Sequence, residues 1–196
     1  MKYIVFLFCC GLIIPSAKAQ IAGSAHDFSG TAWSAGEICI TCHTPHNSDT
    51  SINAPLWNHE LSTATYTLYD SSTMDEVASQ PGAASKVCLS CHDGTIALDS
   101  FGGNTGGTWI DASGNLTTDL SDDHPVGVLW SHQTEMPACT GCHNLHDPNW
   151  PMPLPFFNER VECATCHDVH NSNAAIPHLL RLSNTQSELC LHCHGK

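Results

Sequence analysis

Cysteine and histidine recur in this chain at one fixed spacing. The sets are Cys39, Cys42 and His43; Cys88, Cys91 and His92; Cys139, Cys142 and His143; Cys163, Cys166 and His167; and Cys190, Cys193 and His194. Ten of the 12 cysteines are used in this way. Two thiols so spaced can add to the two vinyl groups of a porphyrin, leaving the following histidine beneath the ring to bind its iron. A single unit is ambiguous, because zinc knuckles and thiol–disulfide enzymes also use paired cysteines. Five units, each closed by a histidine, point to five covalently attached haem c groups.

The sixth position on each iron decides the chemistry. A second strong ligand leaves an iron that only exchanges electrons, whereas an open position permits bond-making. With His43, His92, His143, His167 and His194 as proximal ligands, nine histidines remain: His26, His46, His59, His124, His132, His146, His170, His178 and His192. Five would saturate every iron, so bis-histidine ligation is expected throughout and no catalytic residue is assigned. His46, His146 and His170 each follow a motif histidine by three residues. One helical turn on, such a side chain cannot reach the far face of its own haem but can project toward a neighbour, making a cross-ligand. His26 and His124 lie in loop contexts beside Asp27 and Asp123, where a carboxylate can orient an imidazole, and are distal candidates together with His59. His192, inside its own attachment loop, could serve an adjacent haem, and His132 and His178 are the weakest distal candidates. Met74, Met136 and Met152 are the competing sixth ligands; the histidine surplus leaves them to fill gaps against haem faces.

The elements that position these groups must be slight. Met1-Lys2, an apolar run from Tyr3 to Ile14, Pro15 and Ala17-Lys18-Ala19 read as a signal peptide over residues 1–19, removed together with Cys9 and Cys10. The run is too short to span a membrane, and an exported, non-membrane-spanning protein of the periplasm, cell surface or extracellular space is expected. Residues 20–196 then supply about 35 residues per haem, far below the size of an ordinary domain and too few for separate hydrophobic cores. The expected fold is one domain of mostly irregular chain, with a few short helices and minor strand, wrapped around a closely packed haem array. Its expected parts are a haem doublet over about 20–100, a linker over 101–130, and haems 3–5 over about 131–196.

Charge narrows the partners. The formal net charge is −13, with 19 Asp and Glu against 6 Lys and Arg. Nucleic acid is excluded, because phosphate binding needs clustered basic residues. The acidity keeps an exported protein soluble and leaves room for a basic redox partner or a cationic metal. Between the units, Ala64–Tyr69 has the composition of a short strand. Phe101–Gly107 is a glycine loop with no following lysine, hence no phosphate cradle. Asp111–Asn115 reads as a tight turn. Asp111, Asp119, Asp122 and Asp123 lack the spacing of an EF-hand, so a solvated acidic turn is expected, with calcium binding left open. Trp150–Pro155 should be a stiff connector.

There is an internal repeat. Cys39-Ile-Thr-Cys-His-Thr-Pro-His-Asn47 matches Cys163-Ala-Thr-Cys-His-Asp-Val-His-Asn171, and each precedes a unit beginning Cys-Leu with a glycine shortly after, Cys88–Gly94 and Cys190–Gly195. Two doublets result, with the unit at Cys139–His143 inserted between them. On these residues, and on Asp123-His-Pro-Val-Gly127, Ala25-His-Asp-Phe28 and Leu180-Arg-Leu-Ser-Asn184, the chain resembles the secreted multihaem c-type cytochromes with doubled CxxCH motifs of metal-reducing bacteria. Some of these relatives polymerise into extracellular filaments. The resemblance implies bis-histidine haems in close stacked and perpendicular pairs, with His26 and His124 as distal ligands. It also implies electron transfer to other redox proteins or extracellular acceptors; a homopolymer is one open form of assembly, which the resemblance does not carry over. The third unit interrupts the family's doublet pattern, so haem order does not carry over. Two competing functions remain: a small nitrite- or hydroxylamine-type reductase with one open haem, and a chiefly structural filament protein. Ammonia-forming nitrite reductases carry a lysine in place of one motif histidine, whereas all five motifs here end in histidine.

Overall fold

The computed structural model describes residues 21–74, 76–130, 154–170 and 175–194. The leader, the third unit (Cys139, Cys142, His143), His132, His146, Met136, Met152 and most of the Trp150–Pro155 segment lie outside the described residues.

Regular structure is sparse, as the residue count demanded. In chain order it comprises β1 (Thr67–Leu68), α1 (Ala83–His92), β2 (Asp119–Leu120), β3 (Val128–Leu129), β4 (Arg160–Val161), α2 (Cys163–Cys166) and α3 (Glu188–Leu191). Among the described residues, all three α-helices carry attachment cysteines. β1 pairs in parallel with β2, Thr67 opposite Asp119, and β3 pairs antiparallel with β4, Val128 opposite Val161. The strand expected over 64–69 is only two residues long because side chains occupy its other backbone groups. Ser62 Oγ accepts from Ala64 N at 3.2 Å, while Gln80 accepts from Tyr66 N and donates to Tyr66 O, each at 2.9 Å. The Gln80 amide thus stands where a neighbouring strand would pair.

A small apolar core sits where α1 meets the first sheet. Leu89, Tyr66 and Leu120 are buried together, with Ala64, Leu68 and Val126 packed around them. Asp93 ends α1 and is itself buried. It accepts from Thr95 N at 2.8 Å, Thr95 Oγ1 at 2.7 Å and Tyr66 Oη at 2.7 Å, and Gly94 then turns the chain at φ +70°. A carboxylate satisfied three times in this way joins the end of the helix to the core. The Asp111–Asn115 turn forms as expected, with Gly114 N and Asn115 N both bonding Asp111 O at 3.1 Å. The Asp111 carboxylate accepts from Ser113 N, Ser113 Oγ and Gly114 N, all on Oδ1, so that oxygen is engaged within its own turn.

Candidate functional site

Three motif histidines share one anchor. His43 Nδ1 meets Pro55 O at 2.8 Å, His92 Nδ1 meets Gly114 O at 2.7 Å, and His167 Nδ1 meets His178 O at 2.9 Å. A backbone carbonyl only accepts, so each ring carries a proton on Nδ1, and in the neutral imidazole Nε2 is the nitrogen with the lone pair. Metal-bound imidazoles are oriented in this way.

The repeat seen in the sequence is also a repeat of hydrogen bonds. In the first unit, Thr44 N donates to Leu56 O at 2.9 Å and Asn58 N to Cys42 O at 3.0 Å; in the fourth, Asp168 N donates to Leu179 O at 2.7 Å and Arg181 N to Cys166 O at 2.8 Å. Both turns need left-handed residues other than glycine, Leu56 at φ 51°, and His178 and Leu179 at φ 59° and 56°. Such conformations are costly for ordinary side chains and persist where surrounding contacts impose them. His178 therefore contributes its carbonyl to the site.

Each of three motif histidines faces a second ring. His43 and His170 have centroids 6.1 Å apart at 13°, His92 and His26 are 6.0 Å apart at 45°, and His194 and His124 are 6.3 Å apart at 74°. An imidazole nitrogen binds a metal ion at about 2.0–2.1 Å and lies about 1 Å from its ring centre, so two rings sharing one ion have centres about 6 Å apart. Burial lowers the pKa of both His26 and His124, with the histidines opposite adding to the effect, and so favours the neutral ring that a metal needs. His26 Nδ1 is buried with no hydrogen-bond partner.

The other candidates are placed differently. His59 is buried, its Nδ1 2.8 Å from Glu60 O and its Nε2 3.1 Å from Ala97 O and 3.6 Å from Cys91 Sγ. His46 is exposed, and His192 closes α3.

Cys42, Cys91 and Cys193 do not have the character of redox thiols. Burial pushes Cys42 and Cys193 up to about 11 and Cys91 up to about 12, opposite to the lowered values that activate thiolate nucleophiles. Among the described residues, no three His, Cys, Asp or Glu side chains cluster as a metal-binding set. Facing pairs of histidines suit an iron whose other four positions belong to a macrocycle. A cleft of about 260 Å³ opens beside the fourth unit. Cys163, Cys166 and His167 line it on one side, and Leu68, Leu89, Leu120, Val126 and Val161 supply apolar wall. The residues present therefore fit covalently held haem.

Sequence reasoning missed the anchoring carbonyls of Pro55, Gly114 and His178, because every residue has a carbonyl. It also missed Glu162, which is 2 % exposed. Glu162-Cys-Ala-Thr165 is a capping box with its usual residue types exchanged, a signal legible in the sequence.

Residues 155–196, covering the fourth and fifth units, match the family model of the doubled CXXCH motif. Comparison with curated proteins gives no match. The paired motifs indicate covalently bound c-type haem.

Proposed function

We propose that this haem-binding electron-transfer cytochrome carries five haem c groups in a single exported domain, residues 20–196, and passes electrons along them as a periplasmic or extracellular conduit. The facing histidine pairs carry the reading. In it, His170 supplies the sixth ligand opposite His43, His26 opposite His92, and His124 opposite His194. The positions opposite His167 and His143 fall to His46, His59, His146 and His192. Bound haem supplies a one-electron iron couple.

The chain's own residues prepare that couple in three ways. The carbonyls of Pro55, Gly114 and His178 fix the proximal rings, burial favours the neutral form of His26 and His124, and the cleft beside unit 4 is walled largely by apolar side chains. Two strong ligands on an iron leave no exchangeable position, which favours conduction over catalysis. Redox proteins or extracellular acceptors are the partners, with a homopolymer as one arrangement. No helix among the described residues is long and apolar enough to cross a membrane.

Intact-mass spectrometry of protein secreted by a host competent for haem c attachment tests the count and the processing together. The reading expects loss of residues 1–19 and the added mass of five haems. Retention of the leader, or attachment at fewer than all five units, contradicts it.

A further inference from the structure

Units 2 and 4 are separated in sequence by an entire attachment unit, yet they are joined in space. The Glu162 carboxylate, just ahead of α2, accepts from Gly82 N at the start of α1 at 3.1 and 3.2 Å, and from Ser85 Oγ. Ser85 Oγ in turn accepts from Cys163 N at 2.8 Å, so one hydroxyl links the two helices. Glu162 is 2 % exposed, Ser85 0 % and Thr165 1 %, so the clamp is sealed from water. A Cβ on Gly82 would stand 2.5 Å from Glu162 Oε1, which explains the glycine there. One turn beyond Ser85, Cys88 comes close enough to Cys163 for the two sulfur groups to influence each other. Leu89, inside unit 2, forms part of the wall of the cleft that holds Cys163, Cys166 and His167.

We propose that units 2 and 4 hold directly adjacent haems, and that Glu162 is the positioning residue that sets their spacing. The proposal rests on haem attachment at these units. It makes the path from unit 2 pass to unit 4 through space, leaving the order of conduction different from the order of the motifs. The position of Glu162 follows from its chemistry. A buried carboxylate can accept from several donors at once, and here the two are Gly82 N and Ser85 Oγ at the start of α1, of which Ser85 passes the contact on to α2. Shortening it removes the link while leaving every proximal histidine and every attachment cysteine in place.

The test is low-temperature electron paramagnetic resonance on the oxidised holoprotein and on Glu162→Ala, Glu162→Gln and Ser85→Ala, each with its haem count by mass spectrometry. Two irons in adjacent haems give a spin-coupled signal in the wild type. Glu162→Ala should convert it into two ordinary low-spin signals at unchanged haem count. Glu162→Gln, whose amide oxygen still accepts from Gly82 N and Ser85 Oγ, should keep most of it. If Glu162→Ala fails to load haem, Ser85→Ala takes its place and is read in the same way. A wild type without a coupled signal, or an uncoupling variant that loads fully and keeps the wild-type signal, overturns the proposal. A wild-type count below five with units 2 and 4 loaded and coupled would overturn the five-haem reading and support the junction.

Discussion

Units 2 and 5 begin alike, Cys88-Leu89 and Cys190-Leu191, and their surroundings make different objects of them. Unit 2 closes the ten-residue helix α1, with Leu89 1 % exposed in the core. Unit 5 rides on the four-residue α3, and the equivalent Leu191 is 39 % exposed. After the histidine, unit 2 has Asp93, bonded to Tyr66 and Thr95, whereas unit 5 has Gly195. The motif therefore fixes the attachment chemistry, and its neighbours decide how much stability it contributes. Unit 2 is built into the protein's only described apolar cluster, and unit 5 lies at the periphery.

The sharpest way to break this comparison is truncation of the matched leucines. Leu89→Ala should destabilise the holoprotein by about 2–5 kcal/mol, because it opens a cavity in a small core and thins a wall of the unit 4 cleft. Leu191→Ala should stay within about 0.5 kcal/mol. Denaturant midpoints measure both, and equal losses would remove the distinction between the units.

A smaller effect is expected from Asp93→Ala, about 1–3 kcal/mol, because the buried Tyr66 hydroxyl and the Thr95 donors lose their acceptor. Burial pushes Tyr66 up to about 12, so its hydroxyl remains a donor to Asp93 at any ordinary pH. A cycle with Tyr66→Phe should show strong coupling between the two sites; strict additivity would show that the hydrogen bond contributes little.

Acid sharpens the comparison from the side of the distal rings, since His26 faces unit 2 and His124 faces unit 5. Both have folded pKa values depressed below 6.5, chiefly by burial. The unfolded chain then takes up protons first as pH falls. Their contribution is full above 6.5 and declines below it toward the lower folded values. Denaturant midpoints between about pH 7.5 and about pH 5 should fall, and His26→Ala and His124→Ala should each flatten the decline. A midpoint that rises toward acid contradicts the assignment.

Much of the site was legible in the sequence because covalent attachment is written in residue types. The paired motifs within residues 155–196 and the turn at Asp111–Asn115 follow from side-chain chemistry at short range, and His170 does lie against the ring of another unit's His43. The strand at Ala64–Tyr69 was only partly legible, because Gln80, 14 residues from Tyr66, takes the place of a partner strand. The anchors on the proximal rings were not legible. They are carbonyls of Pro55, Gly114 and His178, and their residue types matter less than the left-handed turns at Leu56 and at His178–Leu179. The clamp at Glu162 was hidden for another reason: its donors lie 77 to 80 residues away, and only the folded chain brings them together.

The central claim is that facing histidines close the sixth position on the irons. Low-temperature electron paramagnetic resonance of the oxidised holoprotein, integrated against total haem, tests it most directly. The account predicts that all iron is low-spin, whether as isolated or coupled signals, and that nitrite and hydroxylamine leave the spectrum unchanged. A full haem's worth of high-spin iron that shifts on adding either one would contradict it and make the protein a reductase.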